Sequence, residues 1–386
     1  TTGSNNTFIG GDAGGANAGG ASNTFVGKSA GLNSLASNNT FVGADAGAAN
    51  TSGASNTFVG QGAGDVNSDL NASNNTFIGK DAGGANTVGR GNTFVGQGAG
   101  IANTTAHNNT FLGKDAGAAN TSGTDNIFIG QASGDANTTA SGNTFIGVNA
   151  GSVNITGASN TFVGMRSGVL NTGSNNSFFG IDAGSDNTDG AGNTFIGKDA
   201  GINSFSGDNN TAIGNLASTI SPANCTALGF NATSNASNKV RIGNSTVAIV
   251  EGQVAYSFPS DARFKYNIHD DHVPGLSLIT RLHAVNYQFD TRKYDEHVMK
   301  NMPDSTRQKR MAALEPYRAT EKVQTGFLAQ EVEQACADLQ YAFSGLHIPE
   351  SDVDNYSLSY DAFVPILVKA IQEQQTEIKA LEEQLT

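Results

Sequence analysis

A four-residue signature, Thr-Phe-hydrophobic-Gly, recurs along the first two-thirds of the chain and limits its fold more than any other feature. It reads TFIG at Thr7 and TFVG at Thr24, and it continues to TFIG at Thr194. The step is usually 17 residues, with one step of 19 and two of 16. Repeats this short and regular are typical of stacked coils rather than of an enzyme with one unique pocket. We therefore expect a mainly β solenoid with a mechanical role.

A second mark follows the signature in each period and predicts the corners of the coil. Examples are Asp12-Ala13-Gly14 with Asn17, and Asp45-Ala46-Gly47 with Asn50. Glycine and asparagine tolerate the positive φ of tight corners, and asparagine side chains can also stack as ladders. Each repeat is predicted to contain a strand, a glycine turn, a short small-residue segment and a second turn.

Neighbouring side chains of a strand face opposite sides, so the Phe and the Val or Ile of one signature cannot enter the same core. A coil of 17 residues has room inside for one of these faces, which leaves the other for a second chain. We predict a parallel homotrimer with the phenylalanines stacked as a continuous rib. The residues assigned to this trimer core are Phe25, Phe58, Phe77, Phe94, Phe111, Phe128, Phe145 and Phe162.

Composition argues against several classes of protein. Only 14% of the residues are charged, and the aromatic signature is too regular for a disordered chain. The net charge of −13 and the lack of a basic cluster in the repeats disfavour a nucleic-acid partner. No run approaches the roughly 20 apolar residues of a membrane span, so membrane insertion is not expected. Cys225 and Cys336 are predicted to be small buried or idle thiols rather than a disulfide.

The repeat tightens near its end, to TAIG at Thr211, TALG at Thr226 and VRIG at Val240. This shorter form resembles the left-handed β-roll repeat of trimeric autotransporter adhesin heads. The resemblance implies a left-handed, trimeric coil and carries no substrate.

Composition changes sharply near Val247. Of the 55 charged residues of the chain, 22 lie in residues 1–259 and 33 in the last 127. Glycine becomes sparse and helix-forming residues appear, which requires a domain boundary. We predict a repeat shaft at 1–246, a transition strand at 247–259 and an α+β domain at 260–386.

The α+β domain opens with a recognisable motif, Ser-Asp-Ala-Arg-Phe-Lys at 260–265, and GFLAQEV follows at 326–332. With Tyr287, Tyr360 and the terminal helix 364–385, these residues resemble the C-terminal intramolecular chaperone domain of phage endosialidases and tailspikes, which also occurs in bacterial surface proteins. The resemblance implies a domain that trimerises, promotes assembly of the fibre before it, and then cuts itself off.

Carried over by that resemblance, Ser260 is the nucleophile, Lys265 its base, and Pro259–Ser260 the scissile bond. The residue types suit the chemistry, because a serine hydroxyl needs an adjacent base and a desolvated lysine can act as one. Without the motif, the same Ser260 and Lys265 would be taken as a turn cap and a solvated charge. The activity expected is one self-cleavage per chain, with none on external substrates.

Other polar residues of this domain receive supporting roles. Asp261 and Arg263 are expected to hold the turn by an ion pair, and Gln330 and Glu331 to support the neighbouring chain or the dyad. The charged stretch 292–322 is an insertion where the family suggests a shorter loop. His269 and His272 lie three residues apart, but without identifiable partners they are interpreted as surface histidines, so no metal or cofactor is predicted.

Apolar residues of the last helix recur at alternating steps of three and four from Val364 to Leu385. This heptad seam predicts a short coiled coil that clamps a trimer formed elsewhere, since about three heptads are too few to hold alone. The seam residues assigned to the trimer core are Ile371, Ile378, Leu381 and Leu385. The alternative is an amphipathic helix packed on its own domain.

These features together predict an extracellular homotrimeric fibre, either a phage tail fibre or a bacterial surface adhesin, with a cell-surface receptor or glycan as its partner. A glycosidase needs a set pair of carboxylates. The repeat region offers a single glutamate, Glu251, and aspartates that mostly recur in register. The alternative left open is that the chain is the shaft and chaperone portion of a glycan-degrading tailspike whose catalytic domain lies outside this sequence.

Overall fold

The computed structural model describes residues 2–69, 71–220, 223–253, 257–318 and 322–385. The chain divides into two compact units, Thr1–Asn244 and Ser245–Thr386. We call the first the shaft and the second the C-terminal unit. They correspond to the mainly β repeat region and the α+β region that the sequence predicts.

The shaft is a parallel β-solenoid in which each signature forms one three-residue strand. Its strands pair in sequence order into one 15-stranded sheet, with Phe opposite Phe and Thr opposite Thr through most of its length. The strands are β1 Thr7–Ile9, β2 Thr24–Val26, β3 Thr40–Val42, β4 Thr57–Val59, β5 Thr76–Ile78, β6 Thr93–Val95, β7 Thr110–Leu112, β8 Ile127–Ile129, β9 Thr144–Ile146, β10 Thr161–Val163, β11 Ser177–Phe179, β12 Thr194–Ile196, β13 Thr211–Ile213, β14 Thr226–Leu228 and β15 Val240–Ile242. The predicted solenoid is confirmed, and its left-handed sense stays a prediction.

The phenylalanines stack as predicted, but inside their own chain. Consecutive rings from Phe8 to Phe195 lie 4.7–5.0 Å apart and nearly parallel. The assignment of these rings to a trimer core was wrong, because the coil encloses them completely and leaves no ring surface for another chain. The fully buried rings are Phe25, Phe41, Phe58, Phe77, Phe94, Phe111, Phe128, Phe145, Phe162, Phe178 and Phe195.

Buried asparagines form a ladder beside the phenylalanine stack. Asn109 illustrates the pattern: its side-chain oxygen accepts from the backbone N–H of Asn126 at 2.9 Å, and its amide donates to the carbonyl of Gly123 at 2.9 Å. Each asparagine therefore ties its own coil to the next and satisfies polar groups that burial would otherwise leave unpaired. The same pattern repeats along the shaft until Cys225 takes the asparagine position, where its N–H donates to Asn210.

Two glycines per coil are required for different reasons. Gly27, which ends its signature, has φ +140°, and a Cβ there would lie 2.6 Å from the carbonyl carbon of Gly43 in the next coil. Gly31, at the following corner, has φ +57°, and a Cβ would lie 2.6 Å from the Phe25 ring. Backbone strain and close packing thus exclude a side chain at both positions.

The last coils narrow because smaller residues fill them. Alanines replace phenylalanine at Ala212 and Ala227, and both are fully buried. Cys225 is buried beside them, and burial raises the pKa of its thiol to about 11. Shortening the repeat to 14 or 15 residues therefore matches the loss of ring volume.

The C-terminal unit is a small α+β assembly with two short antiparallel sheets. Its elements are α1 Leu276–Ile279, β16 Val285–Gln288, α2 Thr291–Val298, α3 Asp304–Leu314, β17 Val323–Gly326, α4 Ala329–Asp338, β18 Leu346–His347, β19 Ser357–Leu358 and α5 Phe363–Leu385. Strand β16 pairs with β17, and β18 pairs with β19. The core joins Leu278 of α1, Val332 and Cys336 of α4, and Phe363 and Ile366 of α5.

The charged stretch 292–322 is folded over most of its length. It forms most of α2 and all of α3, and a buried ion pair of 3.0 Å joins Asp295 to Arg318. Arg310 of α3 is fully buried as well, and desolvation lowers the pKa of its guanidinium to about 9 against the opposing effect of Asp295. Burial of these charges gives the insertion a packed interior of its own.

Residues 244–253 and 257–259 are irregular and carry no strand. Part of the predicted transition strand, Val254 to Tyr256, lies outside the described residues. No helix in the described part of the chain is long and apolar enough to cross a membrane.

Candidate functional site

The Ser260 and Lys265 side chains meet in the structure. Lys265 Nζ donates a hydrogen bond to Ser260 Oγ at 2.7 Å. Two residues five positions apart cannot meet in this way on an extended strand, where a rise of about 3.3 Å per residue would separate them by roughly 16 Å. A turn must therefore lie between them.

That turn is a single 3-10 turn at Ala262–Phe264, held by Asp261. The Asp261 carboxylate caps it by accepting from the backbone N–H of Arg263 at 2.9 Å, and it pairs with the Arg263 guanidinium at 2.6 Å. The Arg263 hydrogen bonds lower the pKa of the Asp261 carboxyl. The backbone N–H of Lys265 then closes the turn on Ala262 at 3.2 Å. The predicted turn-holding pair therefore occurs in the structure.

The dyad segment is exposed within the single chain. Four large apolar side chains flank Ser260 and Lys265 in this segment, and each is at least 72% exposed: Phe258, Phe264, Tyr266 and Ile268. Apolar side chains this exposed and this close together mark an interaction surface. Sequence reasoning missed them, although their alternation with polar residues was visible in the printed sequence.

Gln330 and Glu331 begin α4 and lie apart from the dyad. Glu331 pairs with His283, with 3.6 Å between the carboxylate oxygen and Nδ1. Gln330 lines an open cavity of about 740 Å³ together with Tyr287 and Tyr360. Among the described residues, no hydrogen bond or ion pair joins either one to Ser260 or Lys265.

Residues of the second motif contact one another at this cavity. The backbone N–H of Phe327 donates to the Tyr360 hydroxyl at 3.0 Å. The same hydroxyl passes so close over Gly326 that a Cβ there would collide with it. The motif residues Gly326, Phe327 and Tyr360 therefore form one packed unit that joins β17 to the start of α5.

Helix α5 has two faces with different surroundings. Phe363, Ile366 and Ala370 are buried against the C-terminal unit. The predicted heptad residues are not: Ile371, Ile378, Leu381 and Leu385 remain exposed. The seam is thus free in the single chain, and packing on its own domain uses a different face of the helix.

Comparison with known families identifies this part of the chain. Residues 260–341 match the family model described as chaperone of endosialidase. The match begins at Ser260, the residue that the motif places first in the domain. A search of curated proteins returned no significant match. The long repeat shaft followed by a chaperone of endosialidase segment fits a trimeric tail fibre or tailspike, and the association of such domains with trimer assembly supports self-association.

Proposed function

We propose that the chain is a homotrimeric extracellular fibre whose chaperone segment drives assembly and then releases itself by cleavage at Pro259–Ser260. The observation that carries the proposal is the 2.7 Å contact between Ser260 Oγ and Lys265 Nζ at the first residues of the family match. It pairs a nucleophile with a base candidate at the boundary between shaft and chaperone segment.

Apolar surface left open along the shaft supports the trimer. The third residue of every strand points away from the phenylalanine stack and is apolar in all fifteen strands, from Ile9 to Ile242. We call this row the outer ladder. Several of its members, such as Leu112 and Ile196, are more than a third exposed in the single chain. A continuous apolar row of this length needs a cover, and three parallel copies provide one by simple rotation.

The α5 seam and the dyad segment add two further surfaces of the same kind. Half of α5 projects its heptad residues into solvent, and an isolated helix of this length is marginal without a partner. Phe258 and Tyr266 are exposed beside the dyad. A trimer would cover all three surfaces, so assembly and completion of the dyad's surroundings would be one event.

Self-cleavage would proceed by attack of Ser260 Oγ on the carbonyl carbon of Pro259. The neutral Lys265 amine takes the hydroxyl proton, and the bond from the Pro259 carbonyl to the Ser260 nitrogen breaks as that nitrogen gains a proton. The resulting ester on Oγ is then hydrolysed by water, which gives a carboxylate at Pro259 and a free amino group at Ser260. The products are residues 1–259 and 260–386.

The base needs surroundings that the single chain lacks. An ammonium that donates to the hydroxyl cannot accept its proton, and a lysine amine becomes neutral near pH 7 only when solvent is removed around it. In the single chain Lys265 and the residues around it are exposed. A second chain seated on the flanking apolar residues would remove that solvent, so cleavage is expected after assembly and not before.

The fibre is proposed to act outside the cell, on a virion or a bacterial surface. Fifteen stacked strands at about 4.8 Å give a shaft of roughly 70 Å, long enough to project a binding surface. A cell-surface receptor or glycan is the partner that such a spacer would serve.

The test is the denatured intact mass of freshly expressed wild-type chain and its variants. We expect two fragments in the wild type, meeting at Pro259–Ser260, and one full-length chain in Ser260→Ala and Lys265→Met. Ser257→Ala removes a nearby exposed hydroxyl and should cleave like the wild type. Cleavage that persists in Ser260→Ala would assign the cut to an external protease. An intact wild-type trimer would leave assembly without self-cleavage.

A further inference from the structure

The segment that leads from Lys265 to α1 contains a cluster that the proposed function does not use. Residues 263–272 are all exposed, and 266–272 form neither helix nor strand. His269, Asp271 and His272 lie here, eight or more residues beyond any strand of the shaft or transition region and just before the first helix. None of them belongs to the dyad or to the buried core.

The potential ligand atoms of these three side chains converge. One atom from each residue lies within 4.8 Å of the other two. The two imidazole rings stack with their centroids 4.8 Å apart, and His272 Nε2 lies 3.8 Å from Asp271 Oδ1. Imidazole and carboxylate placed together in this way form a ligand set that zinc and its neighbours in the first transition series prefer.

The geometry needs little adjustment to hold an ion. Three atoms no more than 4.8 Å apart lie at most about 2.8 Å from a common point. Zinc binds nitrogen and carboxylate oxygen at about 2.0–2.2 Å, so each atom would move by less than about 1 Å. The side chains are exposed, so rotamer changes can supply this movement without disturbing any packing.

We propose that His269, Asp271 and His272 bind one divalent transition-metal ion per chain, of which Zn²⁺ is the best fit. Three protein ligands leave a fourth position for water. The neighbouring cavity of about 730 Å³ has room for that water, and it is lined by Asp271, His272 and the Glu373 carboxylate of α5. Glu373 Oε2 also accepts from the backbone N–H of Leu276 at 2.7 Å, which joins this cavity to the start of α1.

Bound metal would give the segment an anchor that its apolar residues do not supply within one chain. Binding by the folded form alone would stabilise that form by mass action. The ion would also hold the segment between the dyad and α1 in one arrangement. The site itself does not depend on self-cleavage, and it can be tested in a chain that cannot cleave.

The experiment is isothermal titration of tag-free, metal-stripped, full-length Ser260→Ala chain with ZnCl₂. We expect one Zn²⁺ per chain with a dissociation constant on the order of 10 μM or tighter, and no comparable binding of Mg²⁺, which prefers oxygen ligands. His269→Ala and His272→Ala should each weaken Zn²⁺ binding by about 100-fold. The matched control is His283→Ala, because His283 is an exposed imidazole that also faces a carboxylate, Glu331.

A second readout tests the ligand set directly. Co²⁺ bound by two imidazoles and a carboxylate should show visible absorption bands, and His272→Ala should abolish them while His283→Ala does not. Zn²⁺ affinity that is equal in His269→Ala and the parent would overturn the proposal. So would a loss in His283→Ala as large as that in His269→Ala, or Mg²⁺ binding as tight as Zn²⁺ binding. None of these outcomes changes the expected masses in the cleavage test, so the two proposals fail independently.

Discussion

Replacing one internal ring of the phenylalanine stack should open the shaft locally. Phe94 is fully buried, and its ring lies 4.9 Å from that of Phe77 and 4.7 Å from that of Phe111. Phe94→Ala removes both ring contacts and leaves a cavity, which costs about 3–5 kcal/mol. Each coil contacts mainly its neighbours, so the loss should concentrate in the coils next to β6.

Hydrogen exchange of the full chain, followed by peptide mass spectrometry, measures this effect coil by coil. At 1.4 kcal/mol per tenfold change, about 3–5 kcal/mol corresponds to exchange on the order of 100- to several thousand-fold faster in the peptides around Phe94. Peptides from the C-terminal unit should not change.

Phe8→Ala is the matched control at the end of the same stack. Phe8 is 38% exposed and stacks on one side only, 5.0 Å from Phe25. Its loss should cost about 1 kcal/mol, because half-exposed rings bury less area. Equal acceleration in Phe94→Ala and Phe8→Ala would refute the argument that the rings are the internal core of each coil.

Two further predictions concern charge. Asp261→Ala removes both the cap and the ion pair of the dyad turn, so cleavage should slow by about tenfold, at 1.4 kcal/mol for a typical cap; Arg263→Gln keeps the cap and should slow it less, and equal rates in a cleavage time course would contradict this. The pKa values of Asp65 and Asp135 are raised, chiefly by burial, so their stabilising contribution is full below about pH 4 and is lost as pH rises through their folded pKa values. The pKa values of Asp261 and Asp290 are lowered, chiefly by hydrogen bonds from Arg263 and from the backbone N–H of Lys293, so their contribution is present above about pH 4 and is lost below it. Acid should therefore unfold the C-terminal unit before the shaft, and tyrosine fluorescence can follow it because all eight tyrosines lie beyond residue 250; retention of that signal at a pH where shaft exchange protection is lost would contradict the order.

The sequence predicted the shaft well because every coil repeats the same steric requirements. A glycine must follow each strand where the next coil's carbonyl approaches, and an aspartate or asparagine takes positive φ at many corners, as at Asp12 and Asp45. These requirements fix the strand positions and the parallel register. They do not say which strand face turns inward, and for this reason the phenylalanines were assigned to the wrong interface.

The candidate site was predictable only in part. The contact between Ser260 and Lys265 follows no helical or strand period, so its prediction rested on the motif rather than on spacing. Gln330 and Glu331 were linked to the dyad by the same motif, yet in the single chain Glu331 pairs with His283. The buried Arg310 was hidden in a charged stretch, because burial of a charge depends on tertiary partners such as Asp295.

The outer ladder, the dyad segment and the α5 seam all require the same assembly, so the oligomeric state tests the account most directly. We would measure the native mass of full-length Ser260→Ala at micromolar concentration, since this variant keeps the shaft and chaperone segment in one chain. The account predicts a trimer of about 119 kDa, three times the chain mass of 39.5 kDa. A stable, folded monomer of 39.5 kDa would contradict it, because the apolar rows from Ile9 to Leu385 would then face water.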